Sequence, residues 1–117
     1  MNKKVVKRIT FDEYQKRSRK TARYPTIGKK FIYPTIGLAG ESGEVLEKIK
    51  KIFRDKNARV TKTAREELAK EIGDVLWYLT QLSTDLGLSL SEVAEKNLEK
   101  LNSRLKRGKI KGNGDNR

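Results

Sequence analysis

LAGESGEVLEKI, Leu38 to Ile49, returns thirty residues later as LAKEIGDVLWYL, Leu68 to Leu79. The shared pattern L-A-x-E-x-G-[E/D]-V-L-x-x-[I/L] keeps six identical positions and two conservative ones, and it sets Glu41 and Glu44 in one copy where Glu71 and Asp74 stand in the other. On an α-helix, residues three apart lie roughly 60° apart around the axis and ~4.5 Å apart along it, so each pair makes a carboxylate patch on one flank. At ~100° per residue, Leu38, Ser42, Val45, Ile49 and Ile52 fall on one stripe, and Leu68, Ile72, Val75, Leu79 and Leu82 fall on the equivalent stripe of the second copy. Two helices packed through these stripes bring the acids to the edge of the contact, Glu41 and Glu71 nearest the seam and Glu44 and Asp74 one step further out. Four negative charges so placed repel unless something cationic sits between them, and a multivalent cation is the simplest such object.

Ligand chemistry selects the kind of cation. Carboxylate-only sites suit hard ions such as Mg²⁺ or Mn²⁺, whereas zinc and iron sites favour imidazole or thiolate. The chain has no His and no Cys. That excludes Cys/His zinc sites, the di-iron bundle built on Glu-x-x-His pairs, and His- or Cys-based nucleophilic catalysis.

E-x-x-E followed by E-x-x-D after a helix-hairpin interval, with GLAGESGEV and EELAKEIGDVLWYL as the most specific stretches, resembles the all-α nucleoside triphosphate pyrophosphohydrolases of the MazG-like group, relatives of the dimeric dUTPases and dCTP pyrophosphatases. The resemblance runs from about Tyr33 to Arg104. It implies an all-α fold, an antiparallel bundle of about four helices completed by oligomerisation as a homodimer or homotetramer. It implies that Glu41, Glu44, Glu71 and Asp74 form the catalytic centre and hold Mg²⁺, with Mn²⁺ as the alternative. The activity it implies is cleavage of a (d)NTP between its α and β phosphates to a nucleoside monophosphate and pyrophosphate. By the same resemblance Tyr78, one turn after Asp74, lies against the nucleotide; the alternative is a half-exposed tyrosine packed on the bundle. Lys48, one turn after Glu44, reaches a phosphate or neutralises a motif acid. Lys96, Asn97, Lys100 and Arg104 resemble a Lys/Asn-rich segment that contacts phosphates. Gly40 is a departure: many members carry a second Glu directly before the first motif acid, so any role of that residue is absent here or filled by another group.

At 117 residues the chain is one domain, expected to span 1–108 with a flexible basic tail over 109–117. Hydrophobic content of 35% is low for a monomer of this size, which points to a core completed by a partner subunit. No apolar run approaches ~18 residues and no leader-like segment opens the sequence, so the expectation is a cytoplasmic protein without a membrane span. The net charge is +13, yet no Lys or Arg occurs between Lys70 and Lys96, an interval holding Glu71, Asp74, Asp85, Glu92 and Glu95. Basic groups around an acidic centre suit an enzyme that draws in a polyanion and holds the metal that neutralises it. Two alternatives lack catalysis: a basic helical nucleic-acid-binding protein, and a structural helical oligomer whose acids are a solvated face. The in-register repeat of acids and of Gly43 and Gly73 disfavours the second, and the metal reading requires no nucleic acid.

Thr10 and Glu13 make a capping box that opens a first helix, with Phe11 and Tyr14 as its strong apolar contacts. The pentapeptide YPTIG occurs twice, at 24–28 and 33–37, and because the residue before proline avoids the α region, Tyr24 and Tyr33 are expected to be extended in a loop. Gly28-Lys29-Lys30 in that loop lacks the strand and GK[ST] of a P-loop. The second helix is expected from Thr35 or Ile36 to about Arg54. Thr63 and Glu66 form a box expected to open the third helix, which stops near Gly87; Ser89 and Glu92 open the fourth, which presents Leu90, Ala94, Asn97, Leu98, Leu101 and Leu105 on one side and ends at Gly108. From Ile72 to Leu82 only Asp74 is charged, so the third helix is expected to be buried almost all round. Trp77 over Gly73 is then read as a subunit contact, the alternative being a cover from the first helix or the proline loop. Glu44, the outer acid of its pair, is the expected proton acceptor for an attacking water.

Overall fold

The computed structural model of the protein describes residues 7–108 together with 114 and 115. The fold is all-α, with helices α1 (Phe11–Ser18), α2 (Ile32–Asp55), α3 (Lys62–Asp85) and α4 (Leu90–Lys106), and a 3₁₀ turn (Arg19–Thr21) continuing α1. No strand forms among the described residues. The 24-residue helices α2 and α3 are each ~36 Å long and fold back on one another through residues 56–61, the most extensive packing in the molecule. α1 lies against α3 and α4, while α4 meets α3 only lightly.

Most helix ends follow the sequence. Thr10 accepts a hydrogen bond from Glu13 N and Ser89 from Glu92 N, each replacing a partner that the first turn lacks. Gly87 adopts φ +72° after α3, a conformation a side chain resists. Two ends differ from expectation. α3 starts two residues earlier, with Thr61 accepting from Ala64 N, so the Thr63–Glu66 pair lies within the helix rather than opening it. α2 starts at Ile32, so Tyr33 is helical and not extended, and Pro34 lies buried in the first turn, where its missing N–H leaves no helical bond unmade. The α2–α3 turn takes two consecutive non-glycine residues, Asn57 and Ala58, into left-handed backbone.

The interior of the monomer is polar. Thr80 and Gln81 are fully buried and Ser18 and Ser83 nearly so, whereas the buried large hydrophobic residues are Ile52 and Leu90. Gln15 of α1 clamps the α3–α4 turn: its Nε2 donates to Thr84 Oγ1 at 3.0 Å and to the Leu88 carbonyl at 2.9 Å, and its Oε1 accepts from Leu90 N at 2.8 Å. Gln81 Nε2 donates to Ser18 Oγ at 2.9 Å. Tyr24 donates to Asp85 Oδ2 at 2.6 Å, and Arg19 Nη2 forms an ion pair with Asp85 Oδ1 at 2.9 Å. These bonds fasten α1 and the loop after it onto the C-terminal half of α3.

The stripes predicted to pack are only partly covered. Leu38, Val45, Leu68, Val75 and Leu82 are half-buried, but Ile49 and Ile72 are exposed. On α4, Leu98, Leu101 and Leu105 are exposed, as are Ile36, Leu46 and Phe53 on α2. Trp77 is not part of that exposed surface: its Nε1 donates to Thr21 Oγ1 at 2.9 Å and Tyr24 meets it edge to face, so the first helix's continuation and the proline loop cover it. Within the chain Trp77 thus has the cover that stood as the alternative to a subunit contact. Nearly all of the tail over 109–117 lies outside the described residues; Gly114 and Asp115 are placed against α4.

Candidate functional site

Glu41 on α2 and Glu71 and Asp74 on α3 each offer a carboxylate oxygen, and the three oxygens lie within 4.8 Å of one another. Glu71 and Asp74 converge because they are one turn apart on α3; Glu41 joins them because α2 and α3 pack as neighbours along this stretch. Glu44, one turn beyond Glu41, is exposed and stands outside this triad. It still acts on it electrostatically. Burial holds the Glu41 carboxyl above the usual carboxylate range, and the charges of Asp74, Glu71 and Glu44, with a hydrogen bond to Glu71, push the same way.

The triad has little internal compensation. Lys48 Nζ lies 3.9 Å from Glu71 Oε1 and 3.7 Å from Glu67 Oε2, within ion-pair distance of one motif acid. Among the described residues neither Glu41 nor Asp74 has an ion-pair partner. Three hard oxygen donors with an excess of negative charge fit a divalent cation of the Mg²⁺ or Mn²⁺ kind, which takes one or two protein carboxylates plus water and phosphate oxygens.

Aromatic residues border the acids on the side of the proline loop. Tyr78, one turn after Asp74, has its phenol pKa raised, first by burial and then by the charges of Tyr33, Glu41 and Asp74. Trp77 stands edge-on to Tyr78 with ring centroids 5.1 Å apart, and Tyr24 stacks on Tyr33 at 5.3 Å with planes 6° apart. Tyr14 reaches the same neighbourhood from α1: burial raises its pKa and Asp74 raises it further. Sequence reasoning placed Tyr78 beside the acids but missed Tyr33 and Tyr14. The signal for Tyr33 lay in the repeated YPTIG, whose second copy runs directly into the first acidic motif; nothing local marked Tyr14 as more than an apolar contact.

The α4 residues are not drawn to the acids. Lys96 and Asn97 are exposed, while Lys100 Nζ bonds Asp115 Oδ1 at 3.1 Å. Arg104 is 3% exposed and donates from Nη2 to the Asp115 carbonyl at 2.8 Å. Among the described residues none of these four is bonded to Glu41, Glu44, Glu71 or Asp74. The arrangement thus joins three carboxylates, one lysine and an aromatic flank, while on α4 Lys100 and Arg104 bond Asp115 of the chain's own tail.

No helix of the described residues is long and apolar enough to cross a membrane. A protein named "Gene 37 protein", from Mycobacterium phage L5, is 47% identical over 111 residues, covering 91% of this chain and 97% of its own. No solved structure matches the chain. The family model of the MazG nucleotide pyrophosphohydrolase domain matches residues 35–108.

Proposed function

The chain belongs to the MazG nucleotide pyrophosphohydrolase family, and from that premise we propose that it is a Mg²⁺-dependent enzyme cleaving (d)NTPs between the α and β phosphates. The observation that carries the reading is the meeting of Glu41, Glu71 and Asp74 within 4.8 Å, all three from a repeated motif and with one lysine against them. A solvated, salt-bridged helix face would have paired Glu41 and Asp74 with lysines, as Lys48 pairs with Glu71; neither has such a partner among the described residues.

Glu41, Glu71 and Asp74 would hold the cation. A divalent ion bound there supplies charge neutralisation for phosphate oxygens and lowers the pKa of a bound water. Glu44 is close enough to raise Glu41 yet outside the triad, so its carboxylate accepts the proton as water attacks the α phosphorus. The bond from that phosphorus to the bridging oxygen breaks, and pyrophosphate leaves with the electron pair. Lys48, beside Glu71, offers a positive charge to the departing pyrophosphate. Tyr78 and its aromatic neighbours offer the base a stacking surface, with ~1 to 3 kcal/mol available to a stacked base.

The active unit is a homodimer or homotetramer. Ile36, Ala39, Gly43, Leu46 and Phe53 recur on one side of α2 at the spacing of a helix-packing seam and all are exposed, Leu46 at 71% and Phe53 at 72%. A side chain added at Gly43 would meet nothing within 4 Å inside the chain, so its smallness serves no internal contact. A second α2–α3 hairpin laid on this seam would complete a four-helix arrangement.

Turnover of common NTPs and dNTPs with Mg²⁺, reading both phosphate products, tests the activity. Pyrophosphate with a nucleoside monophosphate is the expected pair. Orthophosphate with a nucleoside diphosphate would contradict it.

A further inference from the structure

The four helical glycines of α2 and α3 are not alike. At Gly40, Gly43 and Gly73 an added Cβ would find nothing within 4 Å; at Gly37 it would meet Tyr78 Cζ at 2.5 Å and two further Tyr78 ring carbons closer still. The Tyr78 ring therefore occupies the space a side chain at 37 would need. Glycine inside a helix is less stable than alanine, and at position 37, unlike 40 and 43, it is offset by a ring contact that only glycine permits.

Gly37 lies one turn before Glu41, and Tyr78 one turn after Asp74. The crossing of ring and backbone is thus adjacent to the carboxylates, on the same side of the hairpin. We propose that Gly37 is a positioning residue for the substrate's base: its missing side chain seats Tyr78 against α2 beside the metal-binding acids, and this fixes where a nucleobase stacks. The inference rests on the nucleotide reading above and adds to it the residue that sets the wall's place.

The wall is braced behind Tyr78. Trp77 stands edge-on at 5.1 Å and is itself held by Thr21, while Tyr24 meets Trp77 edge to face at 6.1 Å and is held by Asp85. A ring fixed by a neighbour and a backbone is preorganised, so it loses little freedom when a base stacks on it. With alanine at 37 the ring must swing away from α2, and the stacking surface moves relative to the acids. The phosphate end of the substrate would be held by Lys48 and by the cation the acids bind, not by Tyr78, and so would be unaffected.

Calorimetric titration with a non-hydrolysable α,β-methylene nucleoside triphosphate and with inorganic tripolyphosphate, both with Mg²⁺, separates the two ends. Gly37→Ala is expected to weaken nucleotide binding about tenfold, as loss of one stacked base does, and to leave tripolyphosphate binding within about twofold. In a Tyr78→Ala background, Gly37→Ala should change nothing further, because its effect acts through the ring. Emission from Trp77, the one tryptophan of the chain, should shift in Gly37→Ala and report that the ring has moved. Equal nucleotide binding by Gly37→Ala and wild type overturns the inference alone. So does equal loss of both ligands, or an additive effect in the Tyr78→Ala background. A wild type that binds tripolyphosphate but no nucleotide removes the proposed function, and this inference with it.

Discussion

Glu41 is the residue on which the triad's electrostatics converge, because burial and three neighbouring carboxylates all oppose its charge. Glu41→Gln removes that opposition, so the metal-free protein should melt at a higher temperature than wild type. The same change removes a ligand: turnover should fall by ~10²-fold or more, and the thermal stabilisation that Mg²⁺ gives wild type should vanish. Thermal melts with and without Mg²⁺, beside a pyrophosphate assay, check both halves; a melting temperature unchanged without metal would refute the repulsion. Tyr24 gives a pH test of opposite character. Burial and its hydrogen bond to Asp85 raise its pKa above 10.0, so the folded state holds the phenolic proton more tightly than the unfolded chain does. Its contribution is whole below pH ~10 and is lost as pH rises through the folded value. Alkaline titration should show a destabilisation that begins near pH 10 and is smaller in Tyr24→Phe, where no such proton exists. At this scale the acids were legible because a three-residue spacing maps directly to one helix flank. The seating of Tyr78 on Gly37 was not, since it depends on how closely two helices cross.

The α3 start shows where local sequence stops deciding between elements. T-K-T at 61–63 offers two threonines, and the Thr63–Glu66 spacing satisfies the capping-box pattern although the helix begins at Thr61. The turn before it settles the choice: Asn57 and Ala58 in left-handed backbone bring the chain round by residue 61, leaving Thr61 at the open end. Thr61→Ala should cost about 1 kcal/mol, and Thr63→Ala within ~0.5 kcal/mol of nothing. Urea unfolding of both variants compares them, and the reverse ranking would place the helix start at Thr63. The boxes at Thr10 and Ser89 and the stop at Gly87 were legible because only one residue could serve at each. The start of α2 was hidden by proline, whose effect on Tyr33 is a preference that the helix overrides.

Across the whole molecule, polar and apolar residues have exchanged their usual places. Gln81, Thr80, Ser83 and Arg104 are buried, while Leu46, Phe53, Leu98 and Leu105 face outward. Apolar surface of this kind is worth roughly 25 cal/mol per Å² when removed from water, so a second copy is the economical cover. Light scattering at micromolar concentration should give a mass at least twice that of the chain, 13.4 kDa, and Leu46→Glu with Phe53→Glu should shift it toward the monomer with loss of turnover. Trp77→Phe, which removes the bond to Thr21 and shrinks the ring between Tyr24 and Tyr78, should leave the mass unchanged. A monomeric, fully active wild type would overturn the assembly. The low apolar content was legible in the sequence, but which apolar faces stay exposed was not, because it depends on Trp77 being covered from the 3₁₀ turn and the proline loop. One further consequence concerns the twice-written YPTIG. The first copy runs through a loop with Gly28 at φ +74°, while in the second Tyr33 to Gly37 form the opening of α2. Loss of residues 24–32 would join Arg23 to Tyr33 and leave every residue from the helical copy through the acids in place. Evolutionary length variation among relatives should therefore concentrate in that nine-residue interval, sparing Tyr33 and Gly37 while Tyr24, Lys29 and Lys30 come and go.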